Sequence, residues 1–224
     1  MSLHLQRDLD ALKKEILQLG NMVETAINTA IQALNNREST LADRVMVLEQ
    51  EINDKEVHIE EECLKILALH QPVAVDLRFI VVVLKVNNDL ERMGDFAQNI
   101  AKRAIHLARL EPIPMFQGFT SELPVLVRSM VRKSLDALVM LDVSLARAVI
   151  NMDDRVDEIN RRMYEEVHAT IHKDVRNTDV AMNLLSTSRY MERIADLSTN
   201  IAEDVVFMVE GRVVRHTDSD PNDD

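Results

Sequence analysis

The chain has no tryptophan, one cysteine, four glycines and five prolines, and aromatic residues make up only 3% of its 224 positions. Each scarcity excludes something. A single cysteine, Cys63, rules out an intramolecular disulfide framework and any thiolate-built zinc or iron–sulfur centre; on the apolar stripe Ile52, Ile59, Cys63, Ile66 it reads as a small buried hydrophobe. With only Gly20, Gly94, Gly118 and Gly211, neither GxxxxGK[ST] nor GxGxxG can be assembled, so the chain has no phosphate-cradling nucleotide loop. Basic charge is also short: 26 Lys and Arg stand against 38 Asp and Glu, a net −12, which argues against a nucleic-acid partner because a phosphate-backbone binder needs a basic stripe. Long apolar runs are missing too. The strongest, FIVVVL at 79–84, is far too short to span a bilayer, and MSLHLQRDLDALKK has alternating charges where a signal peptide would have a basic and then an apolar region. These features lead to the expectation of a soluble, cytoplasmic protein.

What is present is 46% hydrophobic residues, mostly Leu, Val, Ile, Met and Ala, mixed with Glu, which is the composition of a helical bundle. Leu5, Leu9, Leu12, Ile16, Leu19, Val23, Ala26, Ala30 and Ala33 keep a three-and-four spacing that predicts a helix over 3–36. A second is expected from an N-cap at Ser39 to about His70, before Pro72, through Leu41, Val45, Leu48, Ile52, Ile59, Cys63 and Ile66. The third, about 74–110, uses Leu77, Ile80, Val81, Leu84, Leu90, Met93, Ala97, Ile100 and Ala104; its β-branched run at 79–83 suits a strand locally, but helical periodicity continues on both sides. EPIPMFQGF at 111–119 is a Pro/Gly-rich linker, and further helices are expected at about 121–150, 153–173 and 177–210, the last stopped by Gly211 at a C′ position. The fold class is therefore all-α: two tandem, pseudo-twofold related antiparallel three-helix bundles, over 1–110 and 120–216, with a disordered acidic tail at 217–224.

The pairing of two bundles rests on a repeat. LERMGDFAQNIA at 90–101 returns as MERIADLSTNIA at 191–202, an offset of 101, and VLEQEIND at 47–54 aligns with INMDDRVDEIN at 150–160 so that Glu49 matches Asp153 and Asn53 matches Asp157. Glu91 with Asp95, and Glu192 with Asp196, stand one helical turn apart, where like charges destabilise a helix by roughly 0.2–0.5 kcal/mol. Either a bound cation offsets the repulsion, or Arg92, Arg193 and other basic groups do. Facing pairs, Glu49 and Asn53 with Glu91 and Asp95, then Asp153 and Asp157 with Glu192 and Asp196, would make all-oxygen sites suited to Mg²⁺, Mn²⁺, Ca²⁺ or iron. Each motif carboxylate sits one residue past a core position, Leu90 or Met191, and Gly94 and Ala195 are small enough for a neighbouring helix or ligand to approach.

ALHQPVAVDLR at 68–78, DLERMGDFAQNIA at 89–101, MERIADLSTNIAE at 191–203 and GRVVRH at 211–216, in that order, resemble the PhoU family of phosphate transport accessory proteins over nearly the whole chain. The resemblance implies a cytoplasmic protein of two three-helix bundles, often a homodimer. It also implies an adaptor rather than an enzyme, one that represses the phosphate-starvation response between the ATPase subunit of a Pst-type ABC phosphate importer and a PhoR-type sensor histidine kinase. The family's E(D)xxxD motifs, which in some members carry multinuclear iron or other metals such as zinc, map onto Glu91 and Asp95, Glu192 and Asp196, and Asp153 and Asp157. Glu49 with Asn53 is an imperfect fourth pair, because an amide offers an oxygen without charge, so weaker metal binding is expected in the first bundle. Where many relatives have a His after the motif aspartate, this chain has Phe96 and Leu197.

The runner-up function is a metal-dependent bundle enzyme of the di-iron carboxylate kind. Glu165 and His168 give one Glu-x-x-His, but such sites need two, with two further glutamates. His168 and His172, one turn apart, have no counterpart in the first copy. Met22, Met46, Met93, Met130, Met140, Met152, Met163, Met182 and Met191 read as core filling.

Overall fold

The computed structural model describes residues 3–114 and 118–211, and over these it is helical with no strand. The expected acidic tail, the end of the closing GRVVRH and residues 115–117 of the linker lie outside the described residues.

The first bundle follows the apolar periodicity. Helices α1 (Leu3–Asn36), α2 (Ser39–His70) and α3 (Ala74–Leu107) pack against one another, and every α1 position named above is buried. Cys63 is fully buried, and that burial pushes its thiol up to about 12, so it is an inert core group. The β-branched run lies inside α3, as the flanking periodicity requires. Two details differ. Glu38, not Ser39, occupies the N-cap of α2, without a side-chain capping bond. Leu77 and Val81, expected in the core, are 40% and 38% exposed, and the buried surface runs instead through Ile80, Val82, Val83 and Val86. The reason is that α3 is a central helix, packed on α1 and α2 on one side and on the last helix of the second bundle on the other, so two faces are buried and a third is left to solvent.

The second bundle begins with one π turn, Gly118–Glu122, followed by α4 (Leu123–Met140), α5 (Val143–Ile150), α6 (Asp153–Lys173), a single 3₁₀ turn at Val175–Asn177, and α7 (Thr178–Glu210). The helix expected over 121–150 is therefore two helices. The chain turns at Leu141, in the left-handed region at φ 53°, and Asp142 caps the next helix by accepting from the Leu145 N–H at 3.0 Å. Shifting the first copy by 104 residues explains the turn: Arg37, also at φ 53°, matches Leu141, and α5 with α6 spans the equivalent of α2. The middle helix of the second bundle is thus interrupted at Asn151–Met152, where Met152 N–H bonds Val149 O and Arg155 N–H bonds Met152 O, both tightened three-residue spacings. Gly211 ends α7 at φ 72°, its N–H bonded to Phe207 O at 2.9 Å, as its C′ placement predicts.

One continuous apolar core joins the bundles, with α3 lying along α7 and α1 touching α4. Polar ties fix the α3–α7 register. Lys85 reaches the buried Asp204 at 2.9 Å and lies 5.4 Å over the Phe207 ring, Phe96 stacks on Tyr190 with centroids 6.0 Å apart, and Arg103 donates to Asn183 at 3.2 Å. Met93, Met130, Met163 and Met191 are buried, whereas Met140 and Met182 are exposed.

Candidate functional site

In the first bundle, α2 supplies Glu49 and Asn53 and α3 supplies Glu91 and Asp95, all half-buried between fully buried rows that include Ile52 and Leu90. The two helices come close because residue 94 is glycine: a Cβ there would stand 3.2 Å from both Cδ1 and Cγ2 of Ile52. Asn53 Nδ2 donates to Glu49 Oε1 at 2.9 Å, which leaves Asn53 Oδ1 buried with no partner. Burial, then the charges of Asp95, Glu56 and Glu49, raise Glu91 above the usual carboxylate range, and the charge of Arg92 opposes them only weakly. Asp95 is raised in the same way, by burial, by the charge of Glu49 and by a side-chain hydrogen bond with Glu49.

The second bundle repeats the pattern with more charge. Asp153 is the first residue of α6 and Asp157 lies one turn on, facing Glu192 and Asp196 of α7. Burial, then the charges of Asp196, Asp157 and Asp154, push Asp153 up to about 6 against a hydrogen bond from Thr199. Its Oδ1 is buried without a partner. Glu192 is raised by burial and by Asp196; Asp196 is raised by burial although Arg193 donates to it at 3.1 Å. The arginines named as the alternative to a cation thus act on the acids without relieving their crowding.

Two residues outside the sequence-derived set belong to the same surface. Glu56, two turns past Glu49 on α2, and Asn87, one turn before Glu91 on α3, touch each other: Asn87 Nδ2 donates to Glu56 O at 2.9 Å and to Glu56 Oε1 at 3.1 Å. The signal for Asn87 was a polar residue on an apolar stripe, Val83, Val86, Leu90, in the place the repeat gives to Ser188. Among the described residues, all three buried side-chain polar atoms without a hydrogen-bond partner, Asn53 Oδ1, Asn87 Oδ1 and Asp153 Oδ1, lie in these two clusters. Each such atom costs about 1–3 kcal/mol, so three of them confined to two places is a strong bias.

The donor chemistry, carboxylates with amide carbonyl oxygens, fits a hard or borderline cation. Among the described residues no three His, Cys, Asp or Glu side chains already meet at metal-holding separations. A cation would have to draw the acids together, and neutralising their repulsion would favour that. Glu165, His168 and His172 are exposed on α6; the two imidazoles lie 4.1 Å apart, and His172 Nδ1 is bonded to His168 O at 3.1 Å within their own helix.

No helix among the described residues is long and apolar enough to cross a membrane. The family model described as "PhoU domain" matches the chain twice, over residues 16–104 and 120–205. A curated relative from Aquifex aeolicus, a phosphate-specific transport system accessory protein PhoU homolog, is 38% identical over 94% of this chain and 95% of its own length. The Escherichia coli phosphate-specific transport system accessory protein PhoU is 31% identical over 96% of this chain and 89% of its own. The crystal structure of PhoU from Pseudomonas aeruginosa superposes with a TM-score of 0.90 at 35% identity, covering 92% of this chain and 99% of that one. A phosphate transport system regulatory protein PhoU from Streptococcus pneumoniae superposes with a TM-score of 0.85 at 26% identity, covering 94% and 99%. With the duplicated helices, the repeated carboxylate turns and these matches in agreement, the chain belongs to the PhoU family.

Proposed function

We propose that this protein is a negative regulator of the phosphate-starvation response, an adaptor that couples a Pst-type ABC phosphate importer to a PhoR-type sensor histidine kinase. The observation that carries the reading is full-length similarity to proteins named as accessory to phosphate-specific transport. The absence of a nucleotide-phosphate loop in the sequence agrees with a protein that acts on an ATPase rather than as one. An adaptor shifts its partners only through different affinities for their states, so the protein would bind the importer's ATPase subunit preferentially in one transport state and engage the kinase accordingly. The two acidic clusters would hold divalent or iron cations from Glu49, Asn53, Glu91 and Asp95 and from Asp153, Asp157, Glu192 and Asp196, bracing the middle and last helix of each bundle.

Deleting the gene in phosphate-replete cells should derepress phosphate-uptake genes, and affinity capture from such cells should recover the ATPase subunit or the kinase. Unchanged reporter expression in the deletion strain, with neither partner recovered, would remove the reading.

A further inference from the structure

The repeat places four carboxylates in the second bundle and three in the first. The second bundle has Asp153, Asp157, Glu192 and Asp196; the first has Glu49, Glu91 and Asp95, and the fourth motif position is the neutral Asn53. Under the offsets of 104 for the middle helix and 101 for the last, Glu56 matches Asn160 and Asn87 matches Ser188. Both pairs are in contact: Asn87 donates to Glu56 at 3.1 Å, and Ser188 Oγ donates to Asn160 Oδ1 at 2.9 Å. The same rung is therefore built in each bundle, and only the first bundle places a carboxylate on it.

The second bundle's rung is closed, because Asn160 accepts from Ser188 and hydrogen-bonds Glu192. The first is open. Asn87 is only 1% exposed, its Nδ2 donates to the main-chain and side-chain oxygens of Glu56, and its Oδ1 has no partner. Glu56 is close enough to Glu91 for its charge to count among those raising that acid.

We infer that Glu56 and Asn87 are cation ligands of the first bundle, so that its site is displaced by about one turn along α2 relative to the second, with Glu56 supplying the charge that Asn53 lacks. Three residues at 1.5 Å each put the displacement at about 4.5 Å. Glu91 lies between the two rungs and serves either, Asn87 Oδ1 contributes the neutral oxygen now without a partner, and the ligand class is a hard or borderline divalent cation taking oxygen donors. The expectation of a weaker first site, which rested on Asn53 alone, is replaced by one of comparable charge in a shifted position.

This inference rests on the proposal that the acidic faces bind cations, and the test separates the two. Full-length metal-free protein is titrated with Mn²⁺, following free Mn²⁺ by EPR and unfolding by circular dichroism, for the wild type, Glu56→Gln, Asn87→Ser, Asp157→Asn and the double variant Asn53→Asp with Glu56→Gln. Two classes of site are expected. Glu56→Gln should weaken one class at least tenfold and leave the other unchanged, Asp157→Asn should do the reverse, Asn87→Ser should weaken the Glu56 class by a smaller factor, and the double variant should recover what Glu56→Gln lost. Wild-type binding by folded Glu56→Gln or Asn87→Ser, with Asp157→Asn impaired, overturns the displaced site alone. No uptake of Mn²⁺ by the wild type overturns both the site and the cation reading. Should Glu56→Gln fail to fold, Asn87→Ser carries the decision: a weakened class of site sustains the displaced site and wild-type binding overturns it.

Discussion

The two middle helices show most clearly how the copies have diverged. In the first bundle α2 runs unbroken from Ser39 to His70, and its site residues lie a full ten residues inside it. In the second the equivalent stretch is split into α5 and α6, with the break at Asn151–Met152 immediately before Asp153. An aspartate in the first turn of a helix is ordinarily favoured, because the exposed N–H groups and the dipole stabilise its charge by about 0.3–1 kcal/mol. Asp153 nonetheless sits at about 6. Burial and three neighbouring aspartates therefore outweigh the helix terminus, so Asp153 is held under electrostatic stress, whereas one turn past Glu49 the first copy carries the neutral Asn53.

The comparison breaks most easily in the apolar rows under the sites. Ile52 and its counterpart Val156 are both fully buried, but Ile52 alone fills the space opposite a glycine, Gly94, where the second copy has Ala195. Ile52→Ala should cost about 3–4 kcal/mol and Val156→Ala about 1–3 kcal/mol, in urea unfolding of metal-free protein. Equal losses would mean the close α2–α3 approach has no energetic weight.

The stress on Asp153 gives a smaller, pH-dependent difference. Its native value of about 6 lies above the ordinary 3.8, so between those pH values the native state binds more protons than the unfolded state. Stability then falls as pH rises through that window, and the penalty is complete above about 6. Asp153→Asn removes it: in chelator at pH 7 the variant should be more stable by about 1–2 kcal/mol, a range discounted for the group's partial exposure, and the two proteins should converge near pH 3.5. Saturating Mn²⁺ should stabilise the wild type more than the variant. A variant less stable than the wild type at pH 7 in chelator would show that Asp153 is held by a compensating bond, not crowded.

How legible these differences were in the sequence depends on the range of the forces behind them. The helices and most of the core, Leu5 to Ala33 above all, followed from apolar periodicity, which is a local pattern. Leu77 and Val81 were misplaced because a central helix buries two faces, and which face stays open depends on α7, more than a hundred residues away. The turn at Leu141–Asp142 was readable in principle, since Asp142 is a good N-cap residue and the 104-residue offset carries Arg37–Glu38 onto it, but helical periodicity ran straight through the position. The eight motif residues were picked out through the repeat, and the structure brings them near one another as two groups of acidic and amide side chains. Glu56 and Asn87 were not found, because the repeat aligns them with Asn160 and Ser188 and the motif spacing ends at Asn53; only the fold shows them in contact.

The smallest expected effect concerns the two hairpin turns. Arg37–Glu38 and Leu141–Asp142 are equivalent and share the left-handed first residue, yet they are secured differently. Asp142 accepts from the Leu145 N–H, a cap whose loss typically costs about 1 kcal/mol. Glu38 makes no capping bond to α2, and the turn is held instead by Arg37, whose Nη1 donates to Leu107 O at 3.1 Å and Leu110 O at 2.6 Å, tying the hairpin to the end of α3. Asp142→Ala should therefore lower stability by about 1 kcal/mol, Glu38→Ala by less than about 0.5 kcal/mol, and Arg37→Ala by about 1 kcal/mol, read from urea midpoints at constant m-value. The signature that separates the two turns is where the loss appears. Hydrogen exchange should quicken in the first turn of α5 for Asp142→Ala and in the last turn of α3 for Arg37→Ala, because one turn is secured within its own helix and the other across the bundle.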